Sequence, residues 1–411
     1  MSDHSHDTYL PGYQYQLQDN AVLHSISKLQ QSKGDLQPQC SAEVQIHPCS
    51  TQEETLRYRC NCSFQMILDD ADRLHYAMRQ KRKPVLLKSS MFPIANLGIQ
   101  AVMTNLLQQL NDNETNHCHT LRRHLTSISF SSSWNERDIV VTLHYDAPVE
   151  VTEWSTQASL LRTHLNILKI TGRSKGRLHS VPTEVVYLRD TIWINPINQI
   201  VTIGLQDAAM STSIQVDYLK HETAFFHPNP RTMTQALTWI LSRLITMTTK
   251  SNTKSISLLE MYCGCGAHTI ALAKSKLLTD ILAMELDQRL VDACIRNAQL
   301  NQCHEQGCTP VTVVQGDAGQ WAKKAQKNSV RHYDVLLVDP PRQGLDPQVC
   351  TMAMQGTFHH FLYISCGRIA LKRDLEILLS VFNIVDCQLF DLFPRTDSIE
   401  SVVHLQRKEV H

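Results

Sequence analysis

The chain contains 411 residues, of which 42% are hydrophobic and 19% are charged, and 39 Lys and Arg residues balance 39 Asp and Glu residues. This length is greater than a typical single core, so two domains are expected, and the composition is that of a soluble globular protein. Because the net charge is zero, any basic surface that attracts nucleic acid has to be local.

The sequence contains no long uncharged apolar run that would span a bilayer, so no membrane partner is expected. The opening residues, Met1 to Asp7, lack the basic and then apolar stretch of a secretory signal, and they lack the arginine of a mitochondrial presequence. Thirteen cysteines, an odd number scattered through a long chain, indicate reduced thiols in an intracellular compartment. A cytoplasmic monomer is therefore expected.

The first part of the chain divides into a tail and a domain. Residues 1–38 are polar and glutamine-rich, and they are predicted to form a flexible tail with one helix over residues 22–31. Residues 39–224 are predicted to form an α+β domain with a mostly antiparallel sheet, because short alternating runs are typical of half-exposed strands. Its predicted strands cover 127–130, 139–144, 167–171, 184–188 and 199–203, and a long helix covers 94–110.

Residues 225–411 have a different pattern of hydrophobic residues. An amphipathic helix is predicted over 235–246, and apolar strands that alternate with helices follow it. The predicted strands cover 256–262, 281–285, 311–314, 335–338, 362–365, 385–389 and 401–405. This spacing predicts a doubly wound, Rossmann-like parallel sheet with both faces covered, so the fold class is α/β. The link between the last two strands is short, and these strands are expected to form an antiparallel, hairpin-like edge.

A turn that suits a nucleoside follows the first of these strands. Gly264 and Gly266 form a Gly-x-Gly turn, and glycine lets the backbone approach a ligand closely. Glu285 ends the next strand, where an acid binds two ribose hydroxyls. The third glycine of the dinucleotide fingerprint is missing, which favours a nucleoside without a pyrophosphate, such as S-adenosylmethionine. The alternative is a generic turn with a solvated Glu285. Asp317, which ends the third strand, is either an adenine contact or a helix N-cap.

A candidate reaction site follows the fourth and fifth strands. Asp339 precedes two prolines that cannot continue a ladder, and Cys366 ends the next strand. Since ligands bind at the carboxyl ends of the strands in open α/β sheets, the two side chains and the cofactor are expected to converge. A helix start and nearby arginine are expected to lower the pKa of Cys366. The alternative is that Cys366 serves only as a small, buried, apolar residue of the core. The Cys-x-Cys pairs at 60–62 and 263–265 lack zinc spacing, so no metal is expected.

Several motifs together resemble the RNA uracil-5 methyltransferases, in particular the type that makes 5-methyluridine in the T loop of tRNA. The motifs are Leu259-Glu260-Met261-Tyr262-Cys263-Gly264, Val338-Asp339-Pro340-Pro341-Arg342-Gln343-Gly344, Tyr363-Ile364-Ser365-Cys366 and Phe393-Pro394-Arg395-Thr396-Asp397-Ser398-Ile399-Glu400. The resemblance extends over about residues 56–405 and is strongest from residue 222 onward. It implies that residues 39–224 form the RNA-binding domain and residues 225–411 the S-adenosylmethionine-dependent methyltransferase domain.

The resemblance also implies roles for individual residues. Cys366 would add to uracil C6, which makes C5 nucleophilic towards the methyl group, and Glu400 would then remove the C5 proton as a general base. A raised pKa suits this task, so Glu400 is expected to be partly buried. The family's cofactor contacts carry over to Tyr262, Glu285 and Asp339.

Four positions depart from the family pattern. The family's Gln before Pro-Asn is His227, which can still hydrogen-bond the cofactor but whose charge is expected to vary near neutral pH. Ala267 and Gly367 replace Asn residues, and Asn61 replaces the second Arg of an early Arg-x-Arg pair. These departures leave open a reduced activity or a non-catalytic RNA-binding or RNA-folding paralogue.

An RNA partner requires a basic surface, because a base inside folded RNA must be splayed out before C6 is attacked. The basic candidates are Arg57, Arg59, Arg79, Lys81, Arg82, Lys83, Lys88, Arg173, Lys175 and Arg177. A solvated surface is the alternative for any one of them. An RNA cytosine-5 methyltransferase is a third possible function, but such enzymes usually carry a second Cys where this chain has Arg342.

Overall fold

The computed structural model describes residues 20–80, 83–87, 92–112, 117–195, 200–203, 213–221, 227–250, 256–304, 307–327 and 331–409. Contacts divide the chain into two compact units. The first unit comprises Met1–His24, Cys49–Arg189 and Pro394–Thr396, and the second comprises Ser25–Pro48, Asp190–Phe393 and Asp397–His411.

The helices and strands are numbered in chain order. The helices are α1 (Asn20–Leu36), α2 (Leu97–Leu110), α3 (His119–Arg122), α4 (Val151–Leu165), α5 (Pro230–Lys250), α6 (Ala267–Ser275), α7 (Gln288–Leu300), α8 (Ala318–Lys327), α9 (Pro347–Gln355) and α10 (Arg368–Leu378). The strands are β1 (Gln45–His47), β2 (Asn61–Leu68), β3 (Leu74–Gln80), β4 (Lys83–Leu86), β5 (Leu125–Ser132), β6 (Ile139–Tyr145), β7 (Lys169–Ser174), β8 (Arg177–Val181), β9 (Tyr187–Asn195), β10 (Ile200–Ile203), β11 (Ile214–His221), β12 (Ser257–Met261), β13 (Asp280–Glu285), β14 (Val311–Gln315), β15 (Val335–Val338), β16 (His360–Ser365), β17 (Phe382–Phe390) and β18 (Glu400–Arg407).

The first unit contains a seven-stranded sheet in the order β4-β3-β2-β5-β6-β7-β8. Only the β6–β7 pair is parallel within this sheet, which confirms the prediction of a mostly antiparallel arrangement. Helix α2 begins three residues later than predicted because the side chain of Asn96 caps it by accepting a hydrogen bond from the Ile99 N–H. Gly172 of β7 lies against the indole of Trp154, where a Cβ would come within 2.7 Å of the ring.

The second unit contains an eight-stranded sheet in the order β1-β17-β18-β16-β15-β12-β13-β14. Its strands β16, β15, β12, β13 and β14 are parallel, and the helices between them make the predicted Rossmann-like arrangement. All four residues of β15 are buried, as expected for a strand covered on both faces. The antiparallel β17–β18 pair is also confirmed, but β18 lies between β17 and β16 and the edge strand is β1.

The unit boundaries differ from the predicted domain boundaries at both ends. Residues 20–36 form helix α1, which confirms the helix predicted over residues 22–31 and extends it at both ends. The segment around that helix was predicted to be a flexible tail because its composition is polar. The helix nevertheless buries Ala21, Leu29 and Leu36 at helical spacing. Residues 1–19 lie outside the described residues.

The longest segment of the second unit also begins earlier in the chain than the predicted domain, at Asp190 rather than at residue 225. It includes a three-stranded sheet in the order β10-β9-β11. Two side-chain amides of α7 explain this assignment, since Asn297 accepts from the Leu219 N–H at 2.8 Å and Asn301 accepts from the Asp217 N–H at 2.9 Å. These bonds attach β11 to the helices of the large sheet. Over the described ranges, no helix combines the length and the apolar character that crossing a bilayer requires.

Candidate active site

Five of the six residues predicted from the sequence to form the site lie along one border of the eight-stranded sheet, where its parallel strands have their carboxyl ends. In strand order this edge carries Glu400 on β18, Cys366 after β16, Asp339 after β15, Tyr262 after β12 and Glu285 on β13. Adjacent strands lie about 4.8 Å apart, so neighbouring members of the row are close enough to interact. We refer to these five residues as the active edge.

Strand register places the thiol across from the buried acid. Ser365 pairs with Ser401 in the antiparallel β16–β18 ladder, so continuing the ladder by one residue sets Cys366 opposite Glu400. Residues that face each other in this way have Cα atoms about 4.5–5.5 Å apart. A thiol and a buried carboxyl group are therefore adjacent without any further element between them.

The other three members of the active edge lie level with one another. Residues 261, 284 and 338 are register partners across β12, β13 and β15. The next residue along each of these strands is Tyr262, Glu285 or Asp339, respectively. The predicted cofactor contacts thus form one row beside the thiol and acid pair.

Cys366 is half-buried, and burial together with the charges of Glu400 and Asp339 raises the pKa of its thiol to about 11. The positive charge of Arg342 acts in the opposite direction and is the smaller effect. The lowered pKa expected from the helix start and nearby arginine is therefore wrong for this structure. The main reason is the burial of the sulfur, and the two acids beside it also outweigh the single cation.

Glu400 is only 3% exposed, and burial and the charge of Asp339 raise the pKa of its carboxyl well above the ordinary value. This is the burial that the sequence predicted for a general base. Burial also raises the pKa of Asp339 to about 7. Burial and the charge of Asp339 therefore favour the protonated form of Glu400, and the thiol of Cys366 keeps its proton at neutral pH.

The turn after β12 is shaped for close approach to a ligand. Tyr262 and Gly264 have φ angles of 64° and 57°, in the left-handed region. Gly266 has a φ of 85°, and a Cβ there would lie 2.6 Å from the sulfur of Cys294, so only glycine fits without a shift. The strand, turn and helix α6 follow one another as the sequence predicted.

Glu285 is held in place by backbone N–H groups. Its carboxylate accepts hydrogen bonds from the N–H groups of Gly264 at 3.0 Å, Leu286 at 2.8 Å and Asp287 at 2.9 Å. A carboxylate fixed in this way beside a glycine turn fits the ribose of a nucleoside cofactor. Tyr262 is half-buried beside it, and burial raises the pKa of its phenol to about 12, so the hydroxyl stays a hydrogen-bond donor.

His227, the sixth predicted residue, precedes helix α5 and does not belong to the row of strand ends. Its Nδ1 accepts a hydrogen bond from the Asn229 N–H at 3.2 Å, which places the ring proton on Nε2. Burial lowers the pKa of His227 to about 4, so the ring is neutral at physiological pH. The expected change of its charge near neutral pH is therefore wrong.

The sequence matches the model of one protein family over most of its length. The family model described as tRNA (Uracil-5-)-methyltransferase matches residues 24–408. The chain belongs to the tRNA (uracil-5-)-methyltransferase family.

Named relatives of this methyltransferase agree with the family assignment. The chain is 30% identical over 367 residues to a tRNA/tmRNA (uracil-C(5))-methyltransferase of Pseudoalteromonas atlantica, covering 86% of this chain and 89% of the relative. It is 29% identical over 359 residues to the enzyme of the same name from Campylobacter lari, covering 85% and 91%. The family and the enzyme class predicted from the motifs, an S-adenosylmethionine-dependent methyltransferase, are confirmed.

A solved structure supports the fold of this family member. The Pyrococcus abyssi tRNA (uracil-54, C5)-methyltransferase, solved with S-adenosyl-L-homocysteine, superposes with a TM-score of 0.64 and 17% identity over 95% of this chain and 86% of the other. This likeness confirms the Rossmann-like α/β fold class predicted from the sequence.

The structure explains one departure of this methyltransferase from the family pattern. At Gly367, a Cβ would lie 2.3 Å from the carbonyl oxygen of Arg342. The residue after Cys366 therefore has to be glycine for the Asp-Pro-Pro-Arg turn to pack as closely as it does. Ala267 keeps a role through its backbone, since its carbonyl accepts a hydrogen bond from the Tyr218 hydroxyl at 2.6 Å.

Sequence reasoning missed two groups near the active edge and left a third between two alternatives. Arg342 was quoted as part of a motif, but its charge acts on both Cys366 and Glu400. Glu260 is 2% exposed, and burial raises the pKa of its carboxyl to about 8, with Asp339 adding to the rise. Asp317 accepts a hydrogen bond from the Gln320 N–H at 2.8 Å, which is the helix N-cap alternative.

The raised pKa of Cys366 predicts how its thiol reacts in the free enzyme. The rate of alkylation by iodoacetamide, followed on Cys366 by peptide mass mapping, is expected to rise about tenfold per pH unit from pH 7 towards 10, because only the thiolate reacts. Arg342→Ala is expected to move the profile to higher pH. Arg331→Ala, which removes an exposed arginine paired with Asp280, is the control. A profile that levels off below pH 9 would contradict the raised pKa.

Proposed function

We propose that this protein transfers a methyl group from S-adenosylmethionine to C5 of the T-loop uridine of tRNA through a covalent adduct between Cys366 and uracil C6. Family membership and the names of its relatives support uracil C5 in tRNA as the target. The observation that carries the mechanism is the position of Cys366 opposite Glu400, next to Asp339 and the glycine turn.

Thiolate addition comes first because uracil C5 is a poor nucleophile. The sulfur of Cys366 forms a bond to C6, and the electrons of the C5–C6 double bond move towards the C4 carbonyl as an enolate. The thiol must lose its proton before this step. Asp339 has a pKa of about 7 and its charge acts on Cys366, so its carboxylate is suited to accept the proton.

Glu400 completes the reaction. After C5 carries the methyl group it still holds its hydrogen, and removal of that proton allows the S–C6 bond to break and the C5–C6 double bond to re-form. A carboxylate takes the proton, so Glu400 must be ionised at that step. Its burial makes it a stronger base than an exposed glutamate, and Arg342 offsets part of the cost of its charge.

The residues present fit S-adenosylmethionine, which supplies an electrophilic methyl group when bound. Glu285 is oriented to accept hydrogen bonds from two ribose hydroxyls, and the Gly264 turn lets the backbone come close. Tyr262 and Asp339 lie level with Glu285 and face the same edge of the sheet. His227 offers a neutral N–H donor, which suits a carboxylate group.

The RNA partner is proposed to bind the first unit. The backbone around two basic candidates of this unit is well anchored. The N–H groups of Arg57 and Arg59 donate to the carbonyls of Pro93 and Ile94 at 3.0 and 2.8 Å. The Arg57 side chain is exposed and that of Arg59 is half-buried.

A second basic group lies on the β7–β8 hairpin of the same unit, where Ser174 pairs with Arg177. Arg173, Lys175 and Arg177 are exposed on this hairpin. Phosphate binding by such residues would make tRNA affinity fall steeply with salt. Of the other basic candidates, Lys81, Arg82 and Lys88 lie outside the described residues.

The proposal is tested by incubating the protein with S-adenosylmethionine and a tRNA transcript that carries no modification. We expect 5-methyluridine at the T-loop uridine, identified by nucleoside mass spectrometry and fragment mapping, and no product when that uridine is replaced by cytidine. Methylation at another uridine would overturn the T-loop assignment. Tight tRNA binding with no methyl transfer would support the non-catalytic RNA-binding alternative.

Glu285→Ala is expected to weaken S-adenosylhomocysteine binding about 10- to 100-fold, because hydrogen bonds to a charged group contribute about 1.5–3 kcal/mol. Isothermal titration calorimetry measures this change, and filter binding should show tRNA affinity near that of the wild type. Asp280→Ala, at the opposite end of the same strand, is the control. Equal losses of cofactor and tRNA binding would contradict the ribose role.

A further inference from the structure

Helix α1 carries a buried lysine that binds three residues of the connection between β17 and β18. Lys28 is 5% exposed and forms an ion pair with Asp391. Its Nζ also donates hydrogen bonds to the carbonyl oxygens of Phe393 at 3.3 Å and Ser398 at 3.0 Å. Lysine is almost never buried unless it is paired, so this ammonium is held by a site built for it.

These acceptors belong to the connection between β17 and β18, which leads directly to Glu400. β17 ends at Phe390, and Glu400 begins β18 as the register partner of Phe390. The single nitrogen of Lys28 therefore holds residues at the start of the connection and a residue near its end. These contacts restrain the backbone two residues before Glu400, where the chain enters β18.

The same helix also touches the segment that follows the nucleophile. Ser32 lies one turn after Lys28, and its hydroxyl donates to the Lys28 carbonyl at 3.0 Å. A guanidinium nitrogen of Arg368 donates to the Ser32 Oγ at 3.4 Å. Arg368 is the first residue of α10, two positions after Cys366. One face of α1 thus contacts both the segment before the acid and the segment after the thiol.

We infer that Lys28 is a positioning residue for Glu400. By joining both ends of the β17–β18 connection, its ammonium sets the place of the carboxyl relative to the sulfur of Cys366. Small displacements matter at such a site, since a misplacement of about 1 Å can cost about 100-fold in rate. This inference rests on the proposed function, because it assigns Lys28 to the step in which Glu400 removes the C5 proton.

The test separates the addition step from the proton-removal step. In tRNA that contains 5-fluorouridine the adduct cannot lose a proton from C5, so its formation needs Cys366 and the cofactor but not Glu400. We expect Lys28→Met to form this adduct at nearly the wild-type rate. On ordinary tRNA we expect its turnover to fall roughly 10- to 100-fold, with a methylated adduct accumulating on denaturing gels.

Lys28→Met leaves Asp391 buried without its cation and can lower stability, so the double variant Lys28→Met with Asp391→Leu is measured beside it. Replacing both members of a buried ion pair by apolar residues is often tolerated. The carbonyls of Phe393 and Ser398 still lack their donor in this protein, so the turnover defect is expected to persist in a folded enzyme. Thermal unfolding measured for each variant establishes that it is folded.

Lys220→Met is the matched control, because Lys220 is 3% exposed and pairs with the buried Asp190 of β9 at 2.5 Å. It is expected to lose stability without any accumulation of adduct.

If the double variant is folded and turns over at the wild-type rate, or if its adduct formation and turnover fall together, the positioning role is overturned. If Glu400→Gln accumulates adduct and the Lys28 variants do not, only this inference fails. Failure of the wild type to methylate tRNA would overturn the proposed function as well.

Discussion

Replacement of Cys366 by alanine is expected to lower 5-methyluridine formation by more than about 10⁴-fold, because without the sulfur no covalent step activates C5. The side chain is half-buried at the end of β16, and alanine fits the same space, so the fold should persist. Methyl transfer from labelled S-adenosylmethionine to tRNA measures the loss. Calorimetric binding of S-adenosylhomocysteine should stay near the wild-type value.

Covalent capture on 5-fluorouridine tRNA gives the same prediction a direct readout. The wild type is expected to form a complex that survives denaturing electrophoresis and requires the cofactor, whereas Cys366→Ala forms none. Cys308→Ala is a matched control, because Cys308 is also half-buried but precedes the amino end of β14, whereas Cys366 follows the carboxyl end of β16. A complex that persists in Cys366→Ala would assign the nucleophile to another residue.

Glu400→Gln is expected to slow turnover about 100- to 10,000-fold, the usual contribution of a general base. The amide keeps the shape of the side chain but cannot accept the C5 proton. The reaction should therefore stop after methyl transfer, and a covalent complex carrying the added methyl group should accumulate on ordinary tRNA. Intact mass measurement of the protein–RNA complex detects that methyl group.

Two comparisons make the Glu400 assignment specific. Glu376→Gln, on the exposed face of α10, should turn over as the wild type does. Asp339→Asn tests the competing assignment, since Asp339 is the neighbouring acid with a pKa of about 7. If Asp339→Asn accumulates methylated adduct while Glu400→Gln turns over normally, the base is Asp339.

Much of the second unit could be predicted from the sequence because its signals are local. Strand β15 begins and ends at the predicted residues, Val335 and Val338. A run of four apolar residues predicts a buried strand, and the prolines of the following Asp-Pro-Pro end it. The carboxyl-end rule then placed Asp339 and Cys366 at a common edge. The neighbours that raise the pKa of Cys366 could not be predicted, because Glu400 follows it by 34 residues and becomes adjacent only through the β16–β18 ladder.

Helix α1 shows why other parts could not be predicted. A polar segment with few apolar residues was interpreted as a flexible tail, yet Leu29 and Leu36 are buried in the core of the large sheet. Its buried Lys28 would be assigned to solvent by any rule based on composition, since lysine is normally exposed. Only the packing of the helix on the β17–β18 connection supplies the acceptors that make this burial possible.

The sequence by itself determined the family, the α/β fold class and the chemical identity of the groups at the strand ends, because each depends on short contiguous motifs. Only the tertiary structure decided how the pKa values of those groups are shifted and how α1 packs. Both depend on charges and hydrogen-bond partners distant in the chain: Arg342 and Glu400 act on Cys366, and Lys28 holds a connection more than 360 residues away. Electrostatic energy depends on distance and burial, and neither quantity is encoded in the local order of residues.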